Sequence, residues 1–291
     1  MNFNHFLVLF LNGITHAGFL FVIASGLMLV FGLMRIINLA HGAFYIMAAT
    51  LGFFAYQAFG SSWIMGLLSA TVAMSVFSFL FYKFFLQRAS EPSTAILVTL
   101  GISWIIIDIC LELTMAESRT ILPEGILRAT FAIGNINYPL SRLFVLACAI
   151  VQCIALYLMI KKTKIGQTIR AGVDDRDMVS ALGIDINNVF LWVFTLSGLL
   201  IGIGGVLGAT MGAFNVALAP PIIQVLSLMV IIIGGSSNIL GLAAAAMIIG
   251  LVNSFAMAFV PNLADVLVFT LVMVVLVLKP DGLFSKEVRT R

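Results

Sequence analysis

The chain has 291 residues, of which 62% are apolar and only 9% charged, with a formal net charge of +3 and a mean hydropathy of +1.17. Soluble domains carry about a quarter charged residues, so this composition places the chain in the membrane class. The apolar runs are continuous and do not alternate, which selects helices over a barrel, and no basic patch interleaved with aromatics points to nucleic acid.

The N-terminus, MNFNHFLVLF, has no basic leader region and no small-residue cleavage site. It reads as a retained first helix and not as a removed signal peptide. Crossing about 30 Å at about 1.5 Å per residue takes roughly 20 residues. Apolar runs of that order lie at about 5–31, 42–59, 62–86, 94–113, 140–160, 187–213, 221–234, 238–260 and 264–278. The seven prolines (Pro92, Pro123, Pro139, Pro220, Pro221, Pro261 and Pro280) fall at or between these runs, where a helix breaker belongs. The expected fold is all-α: a polytopic membrane helix bundle of about nine transmembrane segments, eight to ten being the range, forming one domain over 1–291.

The first run ends in GLMRIINLAHG, Gly32–Gly42, where Arg35, Asn38 and His41 interrupt the apolar pattern. GGSSNILG, Gly234–Gly241, interrupts the second half in the same way with Ser236, Ser237 and Asn238, after a short run at 221–234. Interruptions at matching places in two halves point to a midplane site built from broken helices. On that reading Asn38, His41, Gly42, Ser236 and Asn238 line a substrate pathway. The alternative is a pair of tight turns whose Asn side chains satisfy the backbone.

Asp108 and Glu112 stand four apart near the end of the fourth run and so share a helix face. Asp108 is read either as a structural partner for an arginine or as a proton site. The outer loop, about 114–139, contains FAIGNINY, which alternates around Gly134-Asn135 as a two-residue hairpin does. That hairpin either touches an extracytoplasmic partner or caps the helices.

Lys161 to Asn188 is the long polar passage. It holds nine of the chain's 27 charged residues: Lys161, Lys162, Lys164, Arg170, Asp174, Asp175, Arg176, Asp177 and Asp185. Such a loop cannot lie in hydrocarbon and is the natural grip for a soluble partner. With it in the cytoplasm and the runs alternating outward, twelve of the 15 Lys and Arg residues fall on the cytoplasmic side and three, Arg119, Arg128 and Arg142, on the outer side. That bias gives an outer N-terminus and a cytoplasmic C-terminus. The next run carries Gly198, Gly202, Gly204, Gly205, Gly208 and Gly212; Gly198/Gly202 and Gly204/Gly208/Gly212 stand four apart, a spacing that lets helix backbones approach closely and that also suits sliding.

Catalytic chemistry is not in evidence. Cys110, Cys148 and Cys153 lie within apolar runs and read as packed thiols; His5, His16 and His41 are too scattered for a metal site. No HExxH, Walker A loop or GxSxG elbow occurs, and no His follows His41 to serve GGSS as a base. If transport is driven by ATP, another chain supplies the ATPase.

GLMRIINLAHGAFYIMAA, Gly32–Ala49, resembles the signature of the H-type permease subunits of branched-chain amino acid ABC importers. So do Thr163, Gly166, Arg170-Ala171, the Asp cluster at 174–177, Ala181-Leu182-Gly183-Ile184, GGSSNILG and the terminal LKPDGLF, Leu278–Phe284. The resemblance runs from about 13 to 284. Urea and short-chain amide permeases share these motifs, and a passive channel or a proton-coupled carrier using Asp108 is the further alternative. The resemblance implies a bacterial inner-membrane subunit without a catalytic site or cofactor. Its implied partners are a second, related permease in a pseudo-symmetric heterodimer, two cytoplasmic ABC ATPases and a periplasmic substrate-binding protein. The ATPase coupling loop would be about 161–188, with Gly166, Arg170, Ala171, Asp174, Asp175, Ala181 and Gly183 seating a short helix in a groove and fixing its register. Arg170-Ala171-Gly172 stands where other ABC importers carry Glu-Ala-Ala.

Overall fold

A computed structural model describes residues 3–89, 91–133, 136–174, 178–179, 183–235, 238–279 and 282–284. The helices are α1 (Phe3–Met34), α2 (His41–Ala58), α3 (Trp63–Phe84), α4 (Pro92–Thr114), α5 (Leu140–Lys162), α6 (Lys164–Asp174), α7 (Ile186–Met211), α8 (Ala219–Gly234), α9 (Ile239–Phe259) and α10 (Ala264–Leu278). Each of the nine apolar runs forms a helix, and α6 lies inside the polar passage. Seven of them (α1, α3, α4, α5, α7, α9 and α10, two with a short 3-10 extension) are long and apolar enough to cross a membrane. The remaining two differ. Helix α8 has 16 residues, about 24 Å, and α2 begins inside the bundle.

Both faces of the peripheral helices are apolar, so burial cannot be read from amphipathicity. Small residues recur on the inner faces, beside Trp63, Phe81 and Tyr82 of α3, Ile106 of α4 and Leu156 of α5. Helix α3 buries Gly66, Ala70, Met74 and Ser78, α4 buries Ala95, Thr99, Ser103 and Cys110, and α5 buries Ser141, Val145, Ala149 and Gln152. Their outward faces carry large side chains such as Leu68, Trp104, Ile109, Val151 and Ile154. Lipid is as oily as Leu, so helices in a bilayer associate by close packing, and small residues mark the contact.

Helices α1, α2 and α7 form the centre. Eleven of the 18 residues of α2 are buried. The glycines of α7 set how closely its neighbours approach. A Cβ at Gly202 would meet the Thr71 Cα of α3 at 2.8 Å, and one at Gly205 would meet the Ala48 Cβ of α2 at 2.5 Å. At Gly198 it would strike Ser78 of α3, and at Gly208 Tyr45 of α2 and Phe19 of α1; Gly204 faces Ile23 of α1. Gly212 differs: it ends the helix and has nothing within 4 Å of such a Cβ. A second close crossing, not singled out in the sequence, joins α1 to α9, where a Cβ at Gly250 would meet Ala17 N at 2.6 Å and Gly13 O at 2.7 Å.

The segment between α4 and α5 contains the hairpin, β1 (Thr130–Ile133) antiparallel to β2 (Ile136–Pro139). Ile133 pairs with Ile136, the register that the alternation of FAIGNINY predicts; Gly134 and Asn135 between them lie outside the described residues. The residues before it are stitched to the α7–α8 connection: Arg119 bridges Phe214, and Ile121 N donates to Ala209 O.

Candidate functional site

Chain geometry around Asn38 and His41 departs from a simple turn. Helix α1 ends at Met34, and Arg35 takes a left-handed conformation, φ 53°. His41 then packs with Nε2 3.1 Å from the carbonyl of Ile23, eleven residues before the end of α1. Segment 35–40 therefore climbs back along α1 by about 16 Å before α2 starts. Asn38 and His41 are each 1% exposed. Buried backbone at such a break must find partners. Asn38 Oδ1 accepts from Ala40 N at 3.0 Å, and Leu39 N donates to Thr99 Oγ1 at 3.2 Å.

The 212–218 connection behaves alike. Phe214 and Val216 are buried in the core, so the chain turns inward before α8 begins. Asn215 Oδ1 accepts from Ala217 N and Leu218 N, turning the chain toward the paired prolines that open α8. The two helix starts then meet. Gly42 N donates to Gln224 Oε1 at 3.0 Å, and Gln224 Nε2 donates to Asn38 O at 3.1 Å. Only glycine fits at position 42, since a Cβ there would strike the Pro220 carbonyl. Gln224 is thus a two-way clamp across a head-to-head junction of α2 and α8. It was the lone amide in the 221–234 run, a signal that sequence reasoning passed over. Behind the junction Phe44 sets its ring edge-on to Phe77, Phe81 and Phe194, tying α2 to α3 and α7. His41 Nε2 carries the proton toward Ile23 O, and Nδ1 is buried without a partner among the described residues.

The structure thus brings Asn38, His41 and Gly42 together with Pro220 and Gln224 at the start of α8; among the described residues of Gly234–Gly241, none is hydrogen-bonded to them. Asn238 is elsewhere: its Nδ2 donates to Phe284 O at 2.9 Å. Leu283 N donates to Ile233 O, and a Cβ at Gly241 would meet Phe284 Cβ at 2.7 Å, so Ile233, Asn238 and Gly241 dock on Leu283 and Phe284. Ser236 and Ser237 lie outside the described residues. Asp108 and Glu112 are exposed on the outward face of α4, and neither makes an ion pair among the described residues.

In the polar passage, Thr163 turns the chain sharply between α5 and α6. Its Oγ1 donates to Met159 O at 2.6 Å and accepts from Gly166 N at 3.1 Å. A Cβ at Gly166 would strike the Ile160 and Met159 carbonyls, so only glycine lets α6 fold back on the end of α5. Ile169 is buried and Ala171 exposed. Arg170 and Asp174 fall in α6, their side chains outside those described; Asp175, Arg176, Asp177, Ala181 and Leu182 lie outside the described residues. Gly183 takes φ 80° with open space around it, just before Asp185 caps α7 through Asn187 N and Asn188 N.

The family model described as "Branched-chain amino acid transport system / permease component" matches residues 9–277. The chain is 25% identical over 305 aligned positions to the high-affinity branched-chain amino acid transport system permease protein LivH of Salmonella typhimurium, covering 98% of this chain and 97% of that one. It is 24% identical to BraD of Pseudomonas aeruginosa, over 97% and 96% of the two chains. A probable LivH of Methanocaldococcus jannaschii is 25% identical over 66% of this chain and 62% of its own length. No solved structure matches. A match across nearly the whole chain, laid on a multi-pass bundle with its central helices broken, makes this protein a member of the branched-chain amino acid permease family, of the H type.

Proposed function

We propose that this chain is the permease subunit of an ABC importer that carries branched-chain amino acids, Leu, Ile and Val, across the bacterial inner membrane. The observation that carries the reading is the family match over residues 9–277. The chain crosses the membrane nine times as one domain, N-terminus outside and C-terminus in the cytoplasm; α2 with 35–40 and α8 with 212–218 count as crossings that begin in irregular backbone. Such backbone is tolerated at membrane depth where it is buried in protein or lines a path. A second, related permease forms the other half, two cytoplasmic ATPases supply the energy, and a periplasmic binding protein delivers the substrate.

The path runs past the junction of α2 and α8, where Asn38, His41, Gly42 and Gln224 close the way in this conformation. Coupling enters through 161–188. Helix α6 rests on the last turn of α5 through Gly166, so a push on α6 reaches α5 and α7 as a rigid unit.

The test is a mild-detergent pull-down of the chain from native membranes with its co-purifying proteins identified. An ATPase and a related permease in stoichiometric amounts are expected, and the ligand of the accompanying binding protein names the substrate. Recovery of the chain alone, with solute flux in ATP-free liposomes, would overturn the reading. In the assembled transporter Gly183→Trp abolishes uptake while membrane insertion stays intact; normal uptake by that variant removes this loop from the coupling path.

A further inference from the structure

An open cavity of about 420 Å³ lies where the ends of α1, α5, α7 and α9 converge beside the hairpin. That volume falls within the range of about 300–1,000 Å³ usual for small-molecule sites. Its polar groups are Asn12 and His16 of α1, Arg142 of α5, and Asn253 and Ser254 of α9, Ser254 Oγ already donating to Leu9 O at 2.8 Å, and its apolar walls include Met211 and Met257.

Arg142 is positioned but not neutralised. It donates through Nη1 to Asn12 Oδ1, which also accepts from the Tyr138 hydroxyl of β2 at 3.1 Å. Tyr138 in turn sits 2.9 Å from Thr15 Oγ1, so the hairpin and α1 together fix the guanidinium. No carboxylate among the described residues pairs with it; the ion pair they contain is Arg119–Glu117. A guanidinium has several N–H donors, and one bond to an amide leaves the others facing the cavity. Asn253, across the cavity, has no side-chain hydrogen bond among the described residues. Arg142 stands in the first turn of α5, and a fixed guanidinium suits a carboxylate through two parallel bonds.

We propose that this cavity is a waiting site for the incoming amino acid: Arg142 takes the carboxylate, Asn253 adds a polar contact, and Met211 and Met257 cover the aliphatic side chain. The proposal rests on the importer reading. The cavity also stands in the right place for it. His16 is seven residues from Ile23, so the site lies about 10 Å along α1 from the closed junction of α2 and α8. A substrate held there has passed the mouth and not yet the constriction.

The experiment uses the full chain in proteoliposomes, with Ala258→Cys on the cavity wall as reporter and a membrane-impermeant thiol reagent added from the side of the hairpin. Labelling of the parent chain, with Cys110, Cys148 and Cys153, is subtracted. Leucine at ten times its dissociation constant slows labelling by about tenfold. Leucinol, which lacks the carboxylate, leaves the rate unchanged, and isocaproate, which lacks the ammonium, protects at higher concentration. Arg142→Gln is labelled at the parental rate but loses the protection by leucine, while Arg142→Lys retains part of it. Met257→Cys serves as a second reporter, so the result does not depend on one substitution. Equal protection by leucine and leucinol, protection that survives Arg142→Gln, or no protection at either reporter would overturn the proposal. ATP-driven leucine uptake by the assembled transporter is measured alongside. Protection without uptake sinks the importer reading and leaves the carboxylate site standing; uptake without protection does the reverse.

Discussion

Gln224→Leu removes the clamp between α2 and α8 with little change in volume. Two hydrogen bonds go, from Gly42 N and to Asn38 O. They do not weigh equally. Asn38 O still accepts from His41 N at 3.4 Å, whereas Gly42 N lies in the first turn of α2, where no preceding turn offers a carbonyl. Its contact with Pro220 leaves no room for another group to move in. The loss is therefore set by stranding one buried N–H, about 1–3 kcal/mol. An ordinary interhelical hydrogen bond in a membrane protein averages only about 0.6 kcal/mol, because the unfolded chain in the membrane finds other partners. Gly42 is the less replaceable case, so the larger figure is expected to hold. Equilibrium unfolding of the full chain in mixed micelles, followed by helicity against denaturing detergent, reads the difference. A Gln224→Leu chain within about 0.5 kcal/mol of the parent would refute the clamp as a stabilising element.

Gly205→Ala places a methyl against Ala48 and the Ala49 amide and should lower unfolding free energy by about 1–3 kcal/mol, while Gly212→Ala, with open space around it, stays within about 0.5 kcal/mol; equal effects in the same micelle titration would dismiss the close α2–α7 contact. Asn238→Ala releases Phe284 O from its partner and should speed proteolytic clipping of the C-terminal segment several-fold, with the helix content unchanged. Gly166→Ala should likewise expose the 161–188 passage to protease, since a Cβ there drives α6 off the end of α5; a digestion rate equal to the parent's would show that α6 is held by something other than that turn.

Much of the bundle could be read from residue types. Every apolar run is a helix, and the hairpin register follows from Gly134-Asn135 standing between two alternating strands. Four-residue glycine spacing marked α7 as a packing element, and the structure gives each glycine except Gly212 a specific neighbour. The junction was half legible. Asn38, His41 and Gly42 broke an apolar run and drew notice, but the residues they touch, Pro220 and Gln224, sit in a run that looks like an ordinary short helix. The Ser-rich interruption at 234–241 shares composition with the first, and its Asn238 holds the terminal segment through Phe284 O. Composition records that a segment leaves the helix; it does not record which other segment comes to meet it.

What this sequence determined by itself was the solvent. A chain 62% apolar, in continuous runs and with a third of its charged residues in one passage, satisfies its backbone as helices in lipid. The order of those helices, their breaks at glycine, proline and asparagine, and the family they belong to follow from local residue pattern. Tertiary structure decided the rest. It bent 35–40 back along α1, set Gln224 against both sides of that bend, and gathered Arg142, Asn12 and Asn253 around one cavity. The bend rests on a contact 18 positions apart, and the clamp and the Arg142–Asn12 bond on contacts 186 and 130 positions apart. In a chain whose inner and outer faces are equally oily, no periodicity announces such contacts, because packing shape and not hydrophobicity chooses which helix faces meet.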